Sequence, residues 1–155
     1  MKKTNPKKLE LAVQYAVRGV RLPTRPQIRA WARAALRRPA AITFRIVGQR
    51  EGRMLNRDFR GKDYATDVLT FAYPGQPLCG DIALCAPVVA REAREQGKKL
   101  RAHYAHLVIH GVLHLQGYDH ERAAATGKME KLEARIVTSL GFADPYSNAG
   151  ARARD

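Results

Sequence analysis

The sequence is poor in cysteine, in aromatic residues and in acidic residues, and it contains no long apolar run. Only two of its 155 residues are cysteine, Cys79 and Cys85. On one strand they would lie about 20 Å apart, too far for a disulfide, so we expect two free, buried thiols in a reducing compartment, the cytoplasm. No apolar run approaches the ~18 residues of a membrane span. No apolar segment with a cleavage site follows the basic N-terminus, which argues against a signal peptide.

Acidic residues are half as numerous as basic ones, 14 against 28, so the net charge is +14. Much of the excess lies in residues 1–40, which hold eleven basic residues and one acidic residue. This imbalance favours an anionic partner, either nucleic acid or an acidic surface. A row of arginines recurs every four residues: Arg25, Arg29, Arg33 and Arg37. We therefore predict an N-terminal basic helix that contacts this anionic partner, the RNA backbone if the partner is RNA, with a plain solvated face as the alternative.

The periodicity of apolar residues predicts an α+β fold, a mixed sheet of about four strands with four to five helices packed on it. The expected strands are 9–17, 41–47, 66–73 and 78–85. The expected helices start at Thr24 and span 49–59, 87–96, 100–115 and a last segment around 129–140. The length is that of one domain, which we place at residues 1–146, with a disordered tail at 147–155.

One segment has the spacing of a metal site, with His110, His114, Gly117 and His120 in the order His-x3-His-x2-Gly-x2-His. Two histidines four residues apart share a helix face, and a glycine with a positive φ angle can turn the chain back. We predict that His110, His114 and His120 bind one divalent ion, zinc first and other transition metals possible. An open fourth position is typical of a catalytic site. His106 lies ~12 Å of rise from His114, so we expect it to support the site by hydrogen bonding or packing.

The same spacing occurs in metzincin proteases, but with one difference. The glutamate that acts there as general base is Gly111 in this sequence. A peptide hydrolase would therefore keep its metal and lose its base, which disfavours that function.

Five blocks together resemble a known family. They are Leu-Asn-Arg-Asp-Phe-Arg-Gly-Lys at 55–62, Thr-Asp-Val-Leu-Thr-Phe at 66–71, Gly-Asp-Ile at 80–82, the histidine segment 110–120 and Gly-Phe-Ala-Asp-Pro-Tyr at 141–146. In this order they are similar to the YbeY family of bacterial metal-dependent endoribonucleases, which act in ribosomal RNA maturation.

The resemblance implies a single-strand-specific endoribonuclease of ribosome biogenesis and quality control, with ribosomal RNA and the small ribosomal subunit as partners. It implies that the three histidines hold zinc and that Arg60 is the family arginine that faces the metal cleft and is needed for activity. A planar guanidinium suits phosphate oxygens. Asp67, Asp81 and Asp119 are candidates for the general base, and the nucleophile is either an activated water or the RNA 2′-hydroxyl. The alternative function is an RNA-binding ribosome-assembly factor with a structural metal site.

Overall fold

A computed structural model describes residues 8–19, 21–75, 77–118 and 123–147 of the chain. Within these residues the fold is α+β, with a four-stranded sheet and five helices, as the sequence predicts. The elements are β1 (Leu9–Tyr15), α1 (Arg25–Ala35), β2 (Ala40–Val47), α2 (Gln49–Arg60), β3 (Val68–Tyr73), β4 (Leu78–Cys85), α3 (Ala86–Gln96), α4 (Leu100–Leu115) and α5 (Ala123–Ser139). No helix in these ranges is long and apolar enough to cross a membrane.

The sheet has the strand order β1-β2-β4-β3. β1, β2 and β4 run parallel, and β3 pairs antiparallel with β4 at one edge. The register aligns Val13 with Phe44, Phe44 with Ile82, and Ile82 with Thr70. Side chains alternate between the two faces of a sheet, so these four residues share one face.

That face carries the main hydrophobic core, which α1, α4 and α5 cover. Phe44, Ile82 and Ile109 are completely buried in it. Trp31 of α1 is 5% exposed and belongs to this core, as its position on the apolar stripe predicts. The burial places α4 directly against the sheet and makes it the central helix of the molecule.

The opposite face of the sheet is covered by α2 at the end where β4 finishes. A Cβ added at Gly52 of α2 would lie 2.9 Å from Cys85 Sγ, so the helix approaches the strand closely. Both cysteines are free, as expected, and Cys85 is buried. The prediction that Cys79 is buried is wrong, because Cys79 lies on this opposite face near the start of β4 and is exposed.

The sequence signals at α1 are confirmed. Thr24 caps the helix, and Gln27 completes a capping box in which each side chain bonds the other residue's backbone N–H. Two arginines of the basic row hold α1 against β1, since Arg25 donates to Val13 O at 3.1 Å and Arg29 donates to Leu9 O at 3.3 Å. The row therefore has a packing role at its N-terminal half.

Candidate metal centre

Four histidines form a row along one face of α4. The ring centroids of His103 and His106, of His106 and His110, and of His110 and His114 are each 6.4 Å apart. The spacings of three and four residues put these side chains on one stripe of the helix. The rings of His110 and His114 are nearly parallel, with an interplanar angle of 27°, so the i and i+4 pair of the predicted site lies side by side.

The helix ends where the sequence predicts, at Leu115. Gly117 has a φ angle of +100°, and its N–H donates to His114 O at 3.0 Å. This is the turn expected to return the chain toward the histidines. The third predicted ligand, His120, and the candidate base Asp119 lie outside the described residues.

A buried carboxylate from α5 holds His110 in place. Glu133 is 1% exposed, and its Oε2 lies 2.8 Å from His110 Nδ1 and 3.2 Å from His106 Nε2. Its Oε1 accepts the hydroxyl of Tyr146 at 2.7 Å. Burial by itself would raise the pKa of Glu133, but the bonds from His106 and His110 outweigh it and lower the pKa to about 2. Glu133 is therefore an anion that can only accept, so His110 carries its proton on Nδ1.

This arrangement fits a metal ligand. A histidine that bonds a carboxylate through one ring nitrogen offers the other nitrogen to the ion, and the carboxylate fixes the ring orientation. In His110 that second nitrogen is Nε2. The Nε2 of His106 instead contacts Glu133 and Tyr146, and burial lowers the pKa of His106, which favours neutral imidazole. His106 thus contacts the carboxylate that holds His110, the supporting role expected for it.

Arg60 occupies the last position of α2 and is exposed. Its guanidinium forms no hydrogen bond or ion pair with any described residue, so no such contact within the described chain joins it to the histidines. Asp81 lies on the sheet face opposite Ile82 and accepts the Tyr73 hydroxyl. It is therefore on the side of the sheet away from α4.

A second group of possible metal ligands was missed by sequence reasoning. The ligand atoms of Asp67, Glu92 and His103 all lie within 4.8 Å of one another. They come from the residue before β3, from α3 and from α4, and His103 Nε2 lies 2.9 Å from Glu92 Oε1. Two carboxylates and an imidazole are a donor set that a divalent cation accepts. The same side chains also contact one another, because Glu92 lies within hydrogen-bond distance of both His103 and Asp67.

The protonation of this group follows from its burial. Burial, then the charge of Glu92, raises the pKa of Asp67 to about 6. Burial acts in the same direction on Glu92, but the bonds from His103 and Asp67 outweigh it and lower the pKa of Glu92.

Only chain folding brings these three residues together, because they are far apart in sequence. The sequence did contain a sign of the buried Glu133, because this carboxylate lies on the apolar stripe of Met129, Ile136 and Val137.

Comparisons with known proteins agree with this architecture. The solution structure of TM1509 from Thermotoga maritima matches with a TM-score of 0.56 and 26% identity, over 88% of this chain and 99% of that one. A protein named Endoribonuclease YbeY from Aromatoleum aromaticum is 56% identical over 90% of this chain and 94% of its own length. Another of the same name from Nitrosomonas europaea is 57% identical over 89% of this chain and 85% of its own.

The sequence model described as Endoribonuclease YbeY matches residues 24–141, which include β2, β3, β4 and the histidine row. The chain therefore belongs to the YbeY endoribonuclease family.

Proposed function

We propose that the chain is a metal-dependent endoribonuclease that cuts single-stranded RNA in ribosomal RNA maturation. His110, His114 and His120 hold one divalent ion, with zinc as the first candidate because neutral imidazoles favour it. The observation that carries the proposal is the bond between His110 Nδ1 and the buried Glu133, which presents Nε2 as the metal-binding nitrogen.

Each side chain of the proposed site has a defined task. A bound divalent ion supplies Lewis-acid polarisation of a phosphoryl oxygen. Glu133 keeps His110 in one tautomer, and the Tyr146 hydroxyl keeps Glu133 in place. Arg60 balances the charge that develops on the phosphate, because its guanidinium is a permanent cation with a planar fork of donors.

The proposed substrate is ribosomal RNA within the small ribosomal subunit, and the proposed location is the cytoplasm. The family name of the relatives supports RNA as the substrate. The net charge of +14 and the basic row, which begins on α1, support binding to an RNA backbone. Two free cysteines are compatible with a reducing compartment.

The test compares wild type with His114→Ala and Arg60→Ala in RNA cleavage and metal content. We expect about one ion per wild-type chain, loss of the ion and of cleavage in His114→Ala, and loss of cleavage alone in Arg60→Ala. Arg50→Ala is the matched control, because Arg50 is also an exposed arginine of α2, and it should cut like wild type.

Two results would contradict the proposal. Equal cleavage by all variants would point to a contaminating ribonuclease. RNA binding without cleavage by wild type would instead support the assembly-factor function.

A further inference from the structure

We propose that Phe59 and Phe71 form an aromatic platform on which a base of single-stranded RNA stacks, with Arg60 and Lys62 binding the adjacent phosphates. The inference rests on the proposed function and assigns part of its substrate contact. Phe59 is 66% exposed near the C-terminal end of α2, whereas Leu55 of the same helix packs against the small cluster around Cys85. Its ring meets Phe71 of β3 edge to face, with centroids 5.4 Å apart and an interplanar angle of 72°.

The contact with Phe71 fixes the orientation of the Phe59 ring while most of that ring stays open to solvent. Stacking of a base on an exposed aromatic ring is the common device of single-strand binding, and it tolerates any base. Phe71 is less exposed and serves as the support of the platform.

The backbone beneath the platform is held rigidly. Gly61 follows α2 with a φ angle of +71°, and its N–H donates to Arg57 O at 3.0 Å. The next N–H, that of Lys62, donates to Asn56 O at 3.3 Å, which completes the usual closure of a helix C-terminus. The Asn56 side chain also donates to Tyr64 O at 2.7 Å. A platform on such a backbone needs little ordering when RNA binds.

The charges beside the platform select an anionic occupant. Arg53 pairs with Asp63 and Arg57 pairs with Asp58, whereas Arg60 and Lys62 form no ion pair with any described residue. The two remaining cations stand one and three residues after Phe59. A second copy of the chain fits this surface poorly, because each copy carries a net charge of +14. Single-stranded RNA supplies both the aromatic base and the phosphate.

The experiment measures binding of a single-stranded 2′-O-methyl phosphorothioate octamer that contains 2-aminopurine, with the metal-loaded full-length protein. Gel analysis confirms that the oligomer stays intact. Wild type should quench the 2-aminopurine fluorescence, and Phe59→Ala should bind about 5- to 100-fold more weakly with little quenching. Phe59→Tyr should bind and quench like wild type. Met54→Ala is the control, because Met54 is an exposed apolar residue of the same helix that lies outside the platform.

The salt dependence of binding distinguishes the aromatic platform from the cations beside it. Phe59→Ala should leave the slope of log affinity against log salt unchanged, whereas Lys62→Ala should reduce it. Circular dichroism of each variant confirms that α2 is folded.

Failure of the aromatic platform and failure of the proposed nuclease function give different results. If Phe59→Ala binds and quenches like wild type while wild type cuts natural RNA, the platform is wrong and the proposed function stands. If Phe59→Ala loses binding but wild type never cuts RNA, the platform stands and the nuclease proposal fails. A Phe59→Ala effect on self-association alone, measured by light scattering, would show that the face binds protein and overturn the RNA platform.

Discussion

The buried carboxylate of Glu133 lies beside two imidazole rings and a phenol hydroxyl. Its negative charge is stabilised by contacts with His106, His110 and Tyr146 rather than by water. The metal site proposed at His110 therefore depends on a residue that is not itself a proposed ligand.

Glu133→Gln is expected to lower metal affinity about 10- to 100-fold, because a neutral amide no longer holds the Nδ1 proton of His110 with a full charge. The measurement is competition with a chelator, followed by absorbance. Glu130→Gln makes the same chemical change one helical turn earlier and should bind metal like wild type. Unchanged affinity in Glu133→Gln would remove Glu133 from the site.

Asp67 is expected to make stability depend on pH. Its pKa is raised from 3.8 to about 6 in the folded chain, so its protonated form is the one that the fold favours. The stability it contributes is complete below pH 3.8 and is lost as pH rises through about 6. Asp67→Asn should therefore be more stable than wild type at pH 8, by about 1–3 kcal/mol, with a smaller difference at pH 5.

Chemical denaturation at the two pH values measures this difference. A second measurement tests whether this group holds a cation. If zinc still raises the melting temperature of His114→Ala but not that of the double variant Asp67→Asn/His114→Ala, the group of Asp67, Glu92 and His103 holds a cation.

At the scale of elements, α4 determines the geometry of the site because it lies directly on the sheet. A Cβ at Gly111 would lie 3.1 Å from Ile82 Cδ1, so position 111 faces β4 and not the histidine row. This explains in physical terms why the metzincin comparison fails. A glutamate at this position would be directed into the core.

Gly80→Ala is expected to lower the free energy of unfolding by about 1–3 kcal/mol, because the new methyl group overpacks the contact between β4 and α4. Its Cβ would meet Leu115 Cδ2 at 2.7 Å and Phe71 O at 2.9 Å. Urea denaturation measures the change. Gly127→Ala in α5 meets nothing within 4 Å and should be neutral or stabilising. Equal stability of Gly80→Ala and wild type would contradict the close packing of α4.

Local sequence predicted the elements well, because each depends on its own periodicity and capping residues. The bounds of α4 match the prediction, and β1 ends two residues earlier than predicted, at Tyr15. The strand order β1-β2-β4-β3 could not be derived in this way, since the pairing of β2 with β4 joins residues 40 and 78. Alternation within one strand does not identify its neighbour.

The contacts of the candidate site also differ in whether local spacing or tertiary packing determines them. His110 and His114 are neighbours on one helix, so their spacing alone predicts that their rings lie together. Glu133 and the group around Asp67 reach their partners only through tertiary packing. The role of His120 remains a prediction from the histidine spacing, and that of Arg60 remains a prediction from the family resemblance.

At the scale of the whole molecule, the excess of positive charge predicts that RNA binding weakens with salt. Arg25 and Arg29 of the basic row donate to β1 carbonyls, whereas Arg33 and Arg37 are exposed. Replacing both Arg33 and Arg37 by Gln should reduce the slope of log affinity against log salt by about 1.4, or 0.7 for each lost phosphate contact.

Binding to a single-stranded RNA over a salt series gives this slope. The matched control replaces Arg91 and Arg94 of α3, which are exposed and carry the same total charge, and should leave the slope close to that of wild type. An equal fall in both double variants would mean that net charge, and not the surface that carries Arg33 and Arg37, determines binding.

The order of the elements along the chain also sets an order in time. All four strands end by Cys85, whereas the carboxylate and the hydroxyl that fix His110 come from residues 133 and 146. During synthesis the strands leave the ribosomal exit tunnel first, since domains emerge from the N-terminus. The contacts that hold His110 can be completed only when Tyr146 has emerged. A nascent chain from which Tyr146 has not yet emerged therefore lacks the contacts that hold His110 in the folded protein.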